Sequence, residues 1–236
     1  MSKAFLDLTL GDTKEFEKQE VQFNNAILYL AKIHESYHLP SNIMDLDDTQ
    51  KELIQELHSN SPFAAETIRL ESPVDIGIGR IVVELFDTLT PKTVHNFKSL
   101  CTGELGLSKS TKKPLHFKST PIHRIVKNFI AQGGDITRFD GSGGDSVYGG
   151  KFNDEKEGLK LKFSKGSLGM ANSGKNSNTS QFFFCLDDSQ SKKLNGKYVC
   201  FGKVIEGLDI LEKLNSVGTE DGTPIDEVLV VNCGLL

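Results

Sequence analysis

Arg124 stands in the stretch IHRIVKNFIAQGGD, from Ile122 to Asp135. A guanidinium among isoleucines, valine and phenylalanine is costly to dehydrate unless its planar fork of donors finds partners. Two readings follow: an edge-strand arginine whose head reaches water, or a hydrogen-bond donor held beside an apolar pocket. Other chemistries find less support. The four cysteines, Cys101, Cys185, Cys200 and Cys233, form no C-x-x-C pair, and the six histidines form no H-E-x-x-H, so no metal centre is expected. GMANSGKN, Gly169 to Asn176, has the glycine and lysine spacing of a phosphate loop. However, Asn176 replaces the magnesium-binding Ser or Thr, and QFFFCL behind it reads as a strand rather than a helix. GSGGDSVYGG lacks dinucleotide spacing and a βαβ setting. With no G-x-S-x-G, covalent hydrolase chemistry has no candidate nucleophile.

The elements that must position these residues fall into two textures. Residues 1–65 carry 11 acids and 5 bases, whereas the rest of the 236-residue chain is nearly balanced within a net charge of −5. An acidic head on a neutral body argues against nucleic-acid binding, which needs a basic footprint. Phe16, Phe23, Ile27, Leu30 and His34 make a helical stripe over 13–35. Pro40 interrupts it, and a second helix is expected from Asp47 or Asp48 to His58, with Leu53, Ile54 and Leu57 on one face. Ser59-Asn60-Ser61-Pro62 reads as the linker. Residues 1–65 are therefore expected to be an acidic helical extension, and 66–236 the main domain.

From Glu66 onward, ETIRLES and GRIVVELF read as strands. A helix is expected with Thr90 as N-cap and Pro91 at its first position. Short glycine-punctuated strands follow, including GDSVYGG and FSKGSLGMA. The helix EGLDILEKL is expected to bury Leu208, Leu211 and Leu214, and IDEVLVVNC closes the chain as a strand. Many short strands with one helix toward each end suggest a closed barrel capped by helices. No apolar run reaches the roughly 18–20 residues that span a bilayer, and the first residues lack a secretory pattern. A cytoplasmic protein, away from membranes, is expected.

Four segments, GRIVVELFDTLTPKTVHNFKSLCTGE, PIHRIVKNFIAQGGDITRFDGSGG, GSLGMANSGKNSNTSQFFFC and LNGKYVCFGKVIEGLDIL, resemble, in order, the cyclophilin family of peptidyl-prolyl isomerases over residues 66–236. The resemblance implies a mainly β fold: an eight-stranded antiparallel barrel capped by two helices, here preceded by the helical extension. It also implies rotation of X–Pro bonds in proline-containing peptides and proteins, assistance to protein folding, and no cofactor. Arg124 matches the arginine that points into the substrate groove, Gln132 a side chain supporting it, and Phe129, Ile130, Phe183 and Leu194 the clasp on the proline ring. Asn172, with Ala171 and Ser173, matches the segment whose backbone pairs with an extended peptide. Gly141 and Gln181 match groove positions.

Departures from the family pattern are few. Lys193 stands where a tryptophan contacting cyclosporin is common, so weak binding of that drug is expected. Tyr198 replaces a usual histidine and Ile130 a usual methionine, and both keep an apolar wall. The insertion GLSKSTKKPLHFKST resembles the divergent-loop branch, in which cysteines matching Cys101 and Cys233 are proposed to form a redox-sensitive disulfide. The alternative is two inert buried thiols. For the helical extension three roles stand open: none beyond packing, a docking module for a protein partner, or a cover over the groove.

Overall fold

A computed structural model describes residues 1–236. The chain divides into two compact units, one made of Met1–Gly11 with Gly77–Leu236 and the other of Asp12–Ile76. This corrects the expected boundary at 65/66 and the assignment of the first residues to the helical extension. Ala4, Leu6 and Leu8 alternate with Phe5, Asp7 and Thr9, and the first three are essentially inaccessible. They form β1 (Lys3–Leu10), which lies inside the sheet of the larger unit.

That sheet continues with β2 (Gly77–Leu85), β3 (Thr120–Pro121), β4 (Arg124–Val126), β5 (Ile130–Gly133), β6 (Ser167–Met170), β7 (Phe182–Cys185), β8 (Cys200–Glu206) and β9 (Val228–Leu235). Its order is β3-β9-β1-β2-β8-β6-β7-β5-β4, with every pair antiparallel. β3 and β4 are separated only by Ile122 and His123. One continuous run therefore supplies both ends of the sheet and curls it into a barrel. Nine strands replace the expected eight because this run bends out of one pairing and into the next. The barrel interior is a mostly aliphatic core built around a cluster of phenylalanines. Phe97 packs on Phe117, Phe182 and Phe201 at centroid distances of 5.3, 5.5 and 5.2 Å.

Phe97 comes from α3 (Pro91–Thr102), the third helix of the chain and the first in the larger unit. Thr90 holds the N-cap position with Pro91 after it, as expected, but its hydroxyl donates to the Phe86 carbonyl (3.2 Å) and caps no helix N–H. The Glu155 carboxylate instead accepts from Lys92 N and Thr93 N at 3.0 and 2.8 Å, where the helix dipole favours an anion. A short helix, Lys156–Lys160, follows Glu155, and a further helix spans Leu208–Ser216. The latter buries Ile210, Leu211 and Leu214, while Leu208, expected inside, is 48% exposed at the first turn. GDSVYGG is not a strand; its backbone wraps the Asp145 carboxylate, as described below.

In the smaller unit, α1 (Thr13–Ile33) is capped by Asp12 and α2 (Asp48–Ser59) by an Asp47–Gln50 capping box. Ala26, Tyr29, Leu30, Ile43 and Ile54 anchor its own core. The buried stripe of α1 is rotated from the expected one, leaving Ile27 40% exposed, and Leu53 of α2 also faces out. ETIRLES is not a strand. Leu70 is buried in this helical core and Arg69 N donates to the Gln22 carbonyl, so the segment packs along α1 rather than joining a sheet. No helix of the chain is long and apolar enough to cross a membrane.

Candidate active site

Strand alternation sorts the middle of the barrel into two faces. Ile125, Ala131, Phe182 and Phe184 point into the main core. Val126, Ile130, Phe183 and Cys185 point the other way, into a second apolar cluster with Phe163, Ala171, Leu194 and Cys200. The opposed destinations of Phe182 and Phe183 follow from their adjacency. On this outer face the register aligns Arg124 with Gln132, Gln132 with Phe183, and Phe183 with Gly169. A donor, an amide and an aromatic ring thus form one row across four strands.

Arg124 is exposed on the terminal strand of the sheet, and its guanidinium has no hydrogen-bond or ion-pair partner within the protein. Its head reaches water, as the plainer reading of the sequence expects, yet it does so beside an apolar cluster. The edge of β4 is covered by the turn after the last helix: Ile125 N donates to the Gly222 carbonyl (2.8 Å) and Lys127 N to the Thr219 carbonyl (3.0 Å). Gly222 adopts φ 95°, and a Cβ there would lie 2.9 Å from Arg124 Cγ. Only glycine lets this turn lie against the arginine stem.

Gln132 Nε2 donates to Gln181 Oε1 at 2.8 Å. Gln181 Nε2 in turn donates to the carbonyls of Gly141 and Gly143 at 2.9 and 2.7 Å. These two carbonyls fix the Gln181 amide, which fixes that of Gln132 and leaves Gln132 Oε1 as a free acceptor. The glycine loop is itself held by Asp135, whose buried carboxylate accepts from the N–H groups of Thr137, Arg138, Gly141 and Gly143. Burial alone would raise the Asp135 pKa; the backbone donors of Arg138, Thr137 and Gly143 outweigh it and hold it below the usual aspartate value.

The apolar wall is built on Phe183. Phe163 stacks on it at 5.4 Å and 27°, and Tyr198 meets it edge-on at 5.4 Å. Ile130, Leu194 and Ala171 are buried in the same cluster, with Phe129 and Tyr198 half-buried at its margin. Gly169 is required by close approach, since a Cβ would fall 2.5 Å from Phe183 Cζ and 2.7 Å from Phe163 Cε1. Phe163 and Gly169 carried no sequence signal for a site role. Lys193 ends a 3-10 turn at Ser191–Lys193, with its ammonium 6.0 Å from the Phe129 ring centroid.

Two hollows meet along this row. One, of about 400 Å³, is lined by Gln132, Gly141, Ala171, Asn172, Ser173 and Gln181 together with Lys151 and neighbouring glycines and serines. The other, of about 240 Å³, holds Arg124 and shares Gln132 and Gly141. Ala171 N donates to the Gln181 carbonyl (2.9 Å), while the backbone N–H and carbonyl of Asn172 have no protein partner. An extended peptide would find an open backbone edge there.

The loop 103–115 is tied to the rim of the larger hollow through Asp145. This fully buried carboxylate accepts from the hydroxyls of Ser108, Ser110 and Thr111 and from Ser146 N (2.8 Å) and Gly150 N (2.6 Å). Burial pushes its pKa up, but the Ser108 hydroxyl and the Gly150 N–H lead a set of donors that holds it below the usual value. Cys101 and Cys233 lie away from the groove, both buried with free thiols. Burial, reinforced by Cys233, pushes the Cys101 thiol well above its ordinary pKa, and burial raises Cys233 to about 11.

A family model described as "Cyclophilin type peptidyl-prolyl cis-trans isomerase/CLD" matches residues 72–235. The chain belongs to the cyclophilin-type peptidyl-prolyl isomerases. Its substrates are accordingly proline-containing peptides, and its reaction is rotation about the X–Pro bond. The match begins after β1, so this cyclophilin's first strand lies outside it, on the far side of the helical unit.

Proposed function

We propose that Arg124, Phe129 and Gln132 carry the isomerisation, and that the enzyme acts on extended X–Pro segments of proteins that are still folding. The observation that carries this reading is the row of Arg124, Gln132 and Phe183 on one face, a free donor and a free acceptor beside an apolar clasp. Rotation about X–Pro faces a barrier of about 18–20 kcal/mol because the nitrogen lone pair is delocalised into the carbonyl. With the proline ring held by Phe129, Ile130, Phe183, Leu194 and Tyr198, the guanidinium donates toward the prolyl nitrogen. That nitrogen becomes pyramidal and basic only in the twisted state, so the interaction favours the transition state over either planar isomer. Gln132 Oε1 accepts from the peptide, and the Ala171–Ser173 edge holds its backbone, with Gly141 and Gln181 shaping the wall.

The same reading makes Lys193 a poor substitute for an indole, so cyclosporin binds weakly. Cys101 and Cys233 serve as packing residues, since the raised thiol pKa values disfavour the reactive thiolate. Four unpaired cysteines suit a reducing compartment such as the cytoplasm. The smaller unit's separate core supports a second role for residues 12–76, the docking of a protein partner. Exchange NMR on a proline peptide tests the catalytic assignment. Arg124→Ala should lower kcat/KM by about 10²–10³, the usual loss for one preorganised donor, and Arg124→Lys should recover little of it. Wild-type rates in Arg124→Ala would remove the arginine from the mechanism.

A further inference from the structure

The two hollows that meet at Gln132 differ in charge. The larger one has Lys151 on its wall and no carboxylate, its other lining residues being uncharged. The hollow beside Arg124 contains Asp140 and Asp221, contributed by separate loops. Asp140 Oδ1 accepts from Ser142 N and Oγ at 2.8 and 2.7 Å. Asp221 Oδ1 accepts from Thr219 Oγ1 and Thr223 N at 2.7 and 2.9 Å. Asp140 Oδ2 has no protein hydrogen bond, the Asp221 carboxylate has one further donor nearby in the Thr223 hydroxyl, and neither carboxylate forms an ion pair with Arg124 or any other cation. The Ser142 and Thr219 hydroxyls lead the donors that hold Asp140 and Asp221 below the usual aspartate pKa, so both are ionised at neutral pH. His123, also on this wall, is kept neutral there, because burial lowers its pKa more than Asp135 and Asp140 raise it. One cation and two carboxylates leave the hollow with one net negative charge.

Resting on the groove assignment above, we propose that Asp140 and Asp221 are specificity-determining residues. They make this isomerase prefer X–Pro bonds with a lysine or arginine on the flank that passes Arg124. A basic side chain from that flank enters the hollow and meets the two unpaired carboxylates, while an acidic one meets net repulsion. Lys151 gives the opposite end of the groove the opposite bias, so the pair of hollows also orients the peptide. The reacting bond is unaffected, and the effect lies in which sequences reach it.

The test is exchange NMR on peptides carrying a single Lys, Gln or Glu at each position flanking the X–Pro bond in turn, at low and high salt. At one flank position kcat/KM for Lys should exceed that for Glu by about five-fold at low salt, the scale of one net charge at several ångströms with partial screening. Added salt should compress the ratio, and Asp140→Asn with Asp221→Asn should bring it below about two-fold on the same electrostatic grounds. Asparagine keeps the Oδ1 hydrogen bonds, so the loops stay in place. Normal turnover of the Gln peptide with no Lys preference at any position overturns the charge assignment alone, as does a preference that survives the double substitution. Failure to accelerate even the Gln peptide refutes the groove assignment, and this proposal with it.

Discussion

Asp145 is the most exposed to test of the buried polar groups, because its five donors are of two kinds. Three are hydroxyls, which can rotate and accept as well as donate. Two are the N–H groups of Ser146 and Gly150, which can only donate. In Asp145→Ala both N–H groups lose their acceptor at about 1–3 kcal/mol each, so the loss should total about 4 kcal/mol. That is a large share of the stability of a typical domain. Asp145→Asn keeps an oxygen for the N–H pair and turns its amide donors toward the hydroxyls of Ser108, Ser110 and Thr111, which reorient to accept. Its cost should be about 1 kcal/mol, mainly lost charge assistance. Urea unfolding measures both, and limited trypsin digestion at Lys109 and Lys112 reports release of the loop, faster in Asp145→Ala. Equal losses in the two variants, or less than about 1 kcal/mol for alanine, would refute the argument that the backbone donors set the cost.

Gly169→Ala should cost about 1–3 kcal/mol by overpacking and raise KM for proline peptides, because the new methyl drives into the Phe163–Phe183 stack. Unchanged urea and kinetic data would show the stack to be soft. Acid should destabilise the protein in two stages. Below about pH 6.5 unfolded His123 takes up a proton that its buried form resists, and below about pH 4 unfolded Asp135 and Asp145 do the same. Urea midpoints across pH should therefore fall in both windows, and His123→Leu should flatten the upper one; a stability profile flat from pH 7.5 to 5 would count against it. Deleting residues 12–76 and joining Gly11 to Gly77 leaves Leu10–Gly11 as a two-residue loop between the paired Thr9 and Gly77. This variant should unfold cooperatively, whereas a chain starting at residue 66 should not. The reverse result would mean that β1 is dispensable.

Much of the barrel was legible because its signals are local. Phe182 and Phe183 had to part company by strand alternation alone, and the four family-like segments carried the groove residues in order. What escaped depends on distant partners. Ala4, Leu6 and Leu8 carry a period-two pattern, but the strand they pair with lies beyond a helical unit of 65 residues. ETIRLES has strand composition, and its burial was settled by Leu70 meeting a helix. Thr90 takes the cap position that its type and place suggest, but the acceptor for the helix N–H groups, Glu155, comes from 62 residues past Thr93. Leu53 and Leu208 are apolar residues that tertiary packing leaves outside, as composition alone permits. Asp135 and Asp145 gather donors through loop turns that no regular spacing encodes.

The position of β1 also governs when this enzyme can become whole. β1 pairs on one side with β9, Ala4 facing Leu235 and Leu6 facing Cys233. β1 thus waits for β9, the last strand of this sheet in chain order. At about 5–20 residues per second, synthesis of the intervening chain holds Leu6 and Leu8 without their β9 neighbours for roughly 10–45 s. Emergence of β9 from the ribosome, rather than any earlier step, sets the moment at which the barrel can close.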